Sequence, residues 1–124
     1  MVIDVVAAVI KKKNQYLIAQ RNRHKHFAYY WEFPGGKVDN DENFENALKR
    51  EINEELSIEI NIRSKITSEK YKDKKIDIKV HYFLCDTLDE NIILSEHEDM
   101  KWVYKESLFD FKLAPGDAKI INLL

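Results

Sequence analysis

Three glutamates crowd one short stretch of this chain: Glu51, Glu54 and Glu55, with Arg50 immediately before them. In a helix turning about 100° per residue, the three carboxylates fall within one arc of about 100°, and Leu48, Ile52 and Leu56 occupy the neighbouring arc. An acidic cluster therefore flanks the face that packs on a core. Like charges three and four residues apart repel by a few tenths of a kcal/mol per pair, more where they are partly buried. A divalent cation reverses the sign of that interaction, and carboxylate oxygens on a rigid element suit Mg²⁺ or Mn²⁺. Arg50, four residues before Glu54, is placed to hold a carboxylate with a forked hydrogen bond. A run of charge is also what a solvated helix face looks like, so the helix alone leaves both readings open.

The elements that must position this cluster follow from hydrophobic patterning. Val2–Ile10 is apolar and β-branched and reads as a buried strand, Lys11–Asn14 as a polar turn, and Tyr16–Gln20 as a second strand making a hairpin with the first. Arg21–His26 is a basic loop. Trp31–Phe33 reads as a short strand running into a Pro34-Gly35-Gly36 turn. Asn43–Leu56 is the clearest helix, with Asn43 as N-cap and Glu45 in the first turn. Ile58–Ile66 and Ile76–Leu88 alternate as strands, joined by the polar Ser68–Lys75, and Met100–Val103 is another short strand. Pro115–Leu124 reads as a terminal helix with Ile120, Ile121 and Leu124 facing inward. Strands around one central and one C-terminal helix make a mixed α/β sandwich, without the regular alternation of a Rossmann sheet.

Composition bounds the function. The 124 residues are 44% hydrophobic and 34% charged, with no repeat or linker, so residues 1–124 form one domain with a real core. No apolar run approaches the ~18 residues of a membrane span. Met1–Ile10 contains Asp4 and lacks both a basic leader and a cleavage pattern, so it is not read as a signal peptide. The single cysteine, Cys85, cannot form an internal disulfide and reads as a core thiol, which points to a cytoplasmic protein. With 20 basic against 22 acidic residues, duplex nucleic acid and anionic membrane are poor partners, while a small anionic ligand is not excluded. The four histidines form no zinc pattern.

The wider spacing is more specific. Gly36 is followed after five residues by Glu42, and seven residues later comes Arg50-Glu51-Ile52-Asn53-Glu54-Glu55-Leu56-Ser57-Ile58. This resembles the box of the Nudix hydrolases, G-x5-E-x7-R-E-U-x-E-E-x-G-U with U aliphatic; Ser57 alone departs, standing where the family has glycine to end the helix. Trp31-Glu32-Phe33-Pro34-Gly35-Gly36-Lys37 looks like the entry segment of the MutT branch, which sanitises nucleotide pools. Leu17–Arg21, Glu96–Val103 and Leu113–Asp117 resemble further segments of that branch, with Gly116 in place of alanine, so the similarity covers nearly the whole chain.

The resemblance implies a Nudix-fold α/β/α sandwich with a mixed central sheet, and metal-dependent hydrolysis of a nucleoside diphosphate linked to another group. It implies Mg²⁺, with Mn²⁺ as substitute, held by Glu51, Glu54, Glu55, Glu96 and the Gly36 carbonyl. Glu51 or Glu96 would act as base, Arg50 would orient carboxylates, and Glu42 would support the site. Arg21 and Lys37 become candidates for phosphate contact. Asp117 matches a residue that reads the base edge, although its place after Pro-Gly equally fits a helix N-cap. Phe33 is a candidate for stacking on the base, as is Tyr82, although strand aromatics also serve as core. The expected substrate is an oxidised or non-standard nucleoside triphosphate such as 8-oxo-dGTP, cleaved to monophosphate and pyrophosphate. The alternatives are a CTP or 5-methyl-dCTP pyrophosphatase, or a nucleotide-binding regulatory domain without turnover. The protein is expected as a monomer or homodimer.

Overall fold

The structure, a computed structural model, describes residues 1–124. β1 (Ile3–Lys12) turns at Lys13-Asn14 into β2 (Gln15–Gln20). Both turn residues have positive φ, 50° and 64°, as a tight two-residue hairpin demands. The hairpin pairs only at its base, Lys11 with Tyr16 and Lys12 with Gln15. Beyond that the strands part and recruit separate partners. β1 takes β4 (Gly35–Lys37) antiparallel and β6 (Asp77–Asp86) parallel, and β5 (Asn61–Lys72) flanks β6. β2 takes β3 (Trp31–Glu32) and β7 (Asp99–Tyr104), both antiparallel. The mixed seven-stranded sheet is thus splayed into two halves joined at one hairpin.

Alternation along β1 feeds two cores. Val6, Ala8 and Ile10 pack with Leu17 and with Leu48, Ile52 and Leu56 of α1 (Phe44–Leu56). Ala7 and Val9 pack with Ile18 and Tyr82 under Leu108, Ile120 and Ile121. The result is the expected three-layered α/β arrangement, with α1 on one face. The other face is covered by two 3-10 segments, Lys105–Asp110 and Ala118–Leu123. No helix is long and apolar enough to cross a membrane.

α1 begins where its cap predicts: the Asn43 side chain accepts the Asn46 amide at 2.8 Å. It ends at Ser57, which adopts the left-handed conformation (φ 57°, ψ 37°) and donates its amide to the Asn53 carbonyl.

Three local expectations are corrected. Gly35-Gly36 is strand, not turn: β4 lies so close to β1 that a Cβ on Gly35 would collide with the Val6 carbonyl, so bareness serves close approach. Ser68–Lys72 continues β5 rather than joining two strands. Its polarity reflects a sheet edge, and the hairpin closes where Asp73 accepts the amides of Lys75 (2.7 Å) and Ile76 (2.9 Å). The C-terminal segment is 3-10 and not α, with i to i+3 bonds from Lys119 to Gly116 and Ile120 to Asp117, although Ile120 and Ile121 face inward as predicted.

The left-handed cap carries a conformational cost that glycine would relieve. Ser57→Gly should stabilise the fold by about 1 kcal/mol in urea denaturation; an unchanged midpoint would show that Ser57 bears no strain there.

Candidate active site

α1 and β4 meet through Arg50. Its Nε and one terminal nitrogen grip Glu42 bidentately, at 2.8 and 2.9 Å. The other terminal nitrogen donates to Glu51 at 3.0 Å and reaches Glu54 at 3.4 Å. The guanidinium also donates to the Lys37 carbonyl at 3.2 Å. Glu42 is held below the usual carboxylate range by this fork, and Arg50 is raised in turn. Glu51 goes the other way: burial pushes it up, against the pull of Arg50. Its carboxylate lies against Gly36, where any Cβ would collide with it. The glycine therefore brings bare backbone beside an acid.

One helical step further, Glu55 is buried, at 6% exposure. Arg50 does not reach it, and its Oε1 has no hydrogen-bond partner. Burial, reinforced by Glu32, Glu51 and Glu96, pushes the carboxyl up to about 9. Glu96 arrives from far along the chain because its loop is pinned to the end of α1. The Ser95 hydroxyl donates to the Glu54 carbonyl at 2.7 Å, and the Ser95 amide to the Glu55 carbonyl at 3.1 Å. Glu55 and Glu96 line a small polar pocket with Arg21, Asn22, Lys25, Glu32, Gly35 and His97. His97 donates through Nε2 to Glu32 at 2.9 Å, while its Nδ1 is the other buried polar atom of the chain without a partner. Arg21 holds the second oxygen of Glu32.

Arg21, Glu32 and Gly35 also line an adjoining cleft of about 120 Å³. Its walls are apolar and include Val5, Phe27, Phe33, Tyr71, Ile78 and Pro115, and Asp117 sits among them. The Asp117 carboxylate accepts the Phe33 amide at 2.9 Å and the Tyr82 hydroxyl, and burial pushes it up to about 7. It makes no helix-capping bond, so the N-cap alternative falls. Phe33 is 3% exposed and meets Tyr82 edge-on, and Tyr82 itself is core.

The fold thus gathers Gly36, Glu42, Arg50, Glu51 and Glu54 into one network, Arg21, Glu55 and Glu96 around one pocket, and Phe33 and Asp117 around one cleft. Lys37 lies outside both cavities. Two residues given no role by the sequence matter here: Glu32, on the wall shared by the two cavities, and His97, in the polar pocket. Both lie in segments that carry the family resemblance, Trp31–Lys37 and Glu96–Val103, and that was their only signal.

The donors are all hard oxygens, and the orphaned Glu55 carboxylate is what a divalent cation would satisfy, so the residues present fit such an ion. As the side chains stand, no three acidic or imidazole groups converge at ligand distance. Arg50 draws Glu51 and Glu54 toward itself, and Glu54 and Glu96 are both more than half exposed and unpacked.

The NUDIX domain profile matches residues 2–124. A CTP pyrophosphohydrolase of Escherichia coli (strain K12) is 33% identical over 120 residues, spanning 97% of this chain and 89% of that protein. An 8-oxo-dGTP diphosphatase of Buchnera aphidicola is 34% identical over 119 residues, spanning 96% and 90%. The crystal structure of a MutT NUDIX hydrolase from Burkholderia pseudomallei superposes with a TM-score of 0.88, covering all of this chain and 98% of that one at 23% identity, a likeness of fold.

A buried carboxylate without a counter-charge costs stability until a cation arrives. In EDTA at pH 7.5, Glu55→Gln should stabilise the protein, by about 1–3 kcal/mol. With Mg²⁺ the order should reverse, the wild type gaining melting temperature and the variant little. A variant that melts lower than wild type in EDTA would contradict the assignment.

Proposed function

The chain belongs to the Nudix hydrolases, and on that premise we propose that it is a Mg²⁺-dependent pyrophosphohydrolase of nucleoside triphosphates, releasing monophosphate and pyrophosphate. The observation that carries this reading is the shared wall of Arg21, Glu32 and Gly35: a polar pocket holding Glu55 and Glu96 on one side, a mostly apolar cleft on the other. A planar base in the cleft leaves its phosphates at the pocket.

Nudix hydrolases generally need a divalent cation, which when bound neutralises charge on the phosphate oxygens. Glu51, Glu54, Glu55 and Glu96, with the Gly36 carbonyl, would hold it, and Mn²⁺ offers the same coordination chemistry. Arg50 fixes the orientation of Glu51 and leaves Glu55 uncompensated. Glu51 or Glu96 takes the proton of the attacking water. Arg21, facing both cavities, contacts phosphate, and Lys37, exposed at the end of β4, meets any phosphate that extends beyond the pocket. Phe33 and Asp117 meet the base. An ionised Asp117 accepts from N–H groups, which favours a purine carrying an added ring N–H, such as 8-oxo-dGTP. The likeness to a CTP pyrophosphohydrolase over nearly the full chain favours a second reading, in which the same carboxylate accepts from the cytosine amine. The intact acidic network supports turnover over a purely regulatory role.

Pyrophosphate release should be measured across dNTPs, 8-oxo-dGTP, CTP and 5-methyl-dCTP, with Mg²⁺ and with EDTA. Release should need Mg²⁺ and favour 8-oxo-dGTP, or a cytosine nucleotide on the second reading. Glu51→Gln should lower kcat/KM by about 10²–10⁴-fold without unfolding the protein. Metal-independent release, or an unaffected variant, would remove the site assignment.

The Asp117 carboxyl also gives a stability signature. Its folded pKa, about 7, lies above its ordinary value, so the stability it contributes is fully present in acid and is lost as pH rises through 7. Between pH 5 and pH 8 the wild type should lose more unfolding free energy than Asp117→Asn does. Parallel pH profiles would mean that Asp117 is already ionised at pH 5.

A further inference from the structure

Two segments distant in sequence meet at the mouth of the apolar cleft: the loop from Arg21 to Tyr30 and the end of the β5–β6 hairpin. His26 lies on the first and Asp73 on the second, with Nε2 and Oδ2 2.7 Å apart. The Tyr71 hydroxyl donates to the same oxygen at 2.9 Å, and the other oxygen takes the amides of Lys75 and Ile76. These bonds, led by that to His26, hold Asp73 well below the usual carboxylate range. An ionised carboxylate only accepts, so Nε2 of His26 carries the proton.

The loop is fastened from within as well. The Arg21 side chain donates Nε to the His26 carbonyl at 2.8 Å, and the Arg21 amide and carbonyl bond Tyr30 and Tyr29. Phe27 and Tyr29 hold positive φ, 58° and 65°, a conformation that L residues avoid unless their surroundings over-determine it. The Phe27 ring packs beside His26 at 4.1 Å and edge-on to Tyr71 at 5.7 Å. Phe27, Tyr71 and Ile76 all line the cleft.

We propose that the His26–Asp73 bond is a clasp that sets base selectivity: it fixes Phe27 and Tyr71 as one wall of the cleft and governs which bases fit, while neither side chain touches phosphate. Both are positioning residues, acting through the aromatic rings beside them. An isolated pair at the surface contributes little. This one is different because its two halves carry a strained loop on one side and a turn-locked carboxylate on the other, and both walls belong to one cavity. The inference rests on the reading that the base occupies this cleft.

The test compares wild type, His26→Ala and His26→Gln, the last retaining a donor. In His26→Ala, amides of residues 21–30 should exchange with deuterium about tenfold faster while those of α1 are unchanged. KM for the favoured nucleoside triphosphate should rise about tenfold, with kcat within about twofold and the ratio of kcat/KM between favoured and disfavoured bases reduced. His26→Gln should recover most of each change. Unchanged loop exchange in His26→Ala overturns the clasp, and a loosened loop with base discrimination intact overturns its role in selectivity. A wild type that hydrolyses no nucleoside triphosphate instead sinks the substrate reading, and with it the selectivity claim, whatever the exchange data show.

Discussion

One guanidinium organises the acidic end of the molecule. Arg50 spends its donors on Glu42, Glu51, Glu54 and the Lys37 carbonyl, and also lies 3.5 Å from Asp39. It thereby ties α1 to β4 and to the segment between them, which no other side chain bridges so fully. Removing two charges from water is costly, and a fork with good geometry offsets it. What Arg50 leaves undone matters as much. Its reach ends before Glu55, so a buried carboxyl faces Glu32, Glu51 and Glu96 with one oxygen unbonded and only the weaker pull of Lys25 against them. The charge deficit is local and sits where bare backbone from Gly35 and a loop pinned through Ser95 converge.

The second organising contact is Glu32. Arg21 and His97 hold its two oxygens; Arg21 and Glu32 stand between the polar pocket and the apolar cleft, and His97 backs them from the pocket side. The basic loop, the shortest strand and the acidic loop are thereby locked at one point. A ligand spanning both cavities would touch all three, which is how recognition at one end can be registered at the other.

Much of this was legible in the residues. The glutamate spacing placed Glu51, Glu54 and Glu55 correctly on α1, and Asn43 and Ser57 marked its ends. The unbroken apolar, β-branched run gave β1 as a buried strand. What was not legible had physical causes. Gly35 and Gly36 read as a turn because glycine signals both turning and close approach, and only the packing of β4 on β1 distinguishes them. Ser68–Lys72 looks like a loop because an edge strand is polar. The 3-10 segments share the apolar spacing of an α-helix over so few residues that periodicity cannot separate them. The N-cap alternative for Asp117 falls only to its bonds with Tyr82 and the Phe33 amide, long-range partners that no local pattern shows. The role of Glu32 depends on Arg21 and His97, partners that no local pattern reveals.

The period-two alternation of β1 has a consequence for how such a protein diversifies. Ala8 and Ile10 support α1 and its acids, whereas Val5 and Ala7 border the cleft, yet all belong to one strand, and Val6 touches both. The side chains point to opposite faces, so replacing one set leaves the packing of the other nearly untouched. Drift on the cleft face can reshape that cavity while the packing beneath α1 and its glutamates is inherited intact. One strand thus lets the two sides of the molecule vary separately, in small steps.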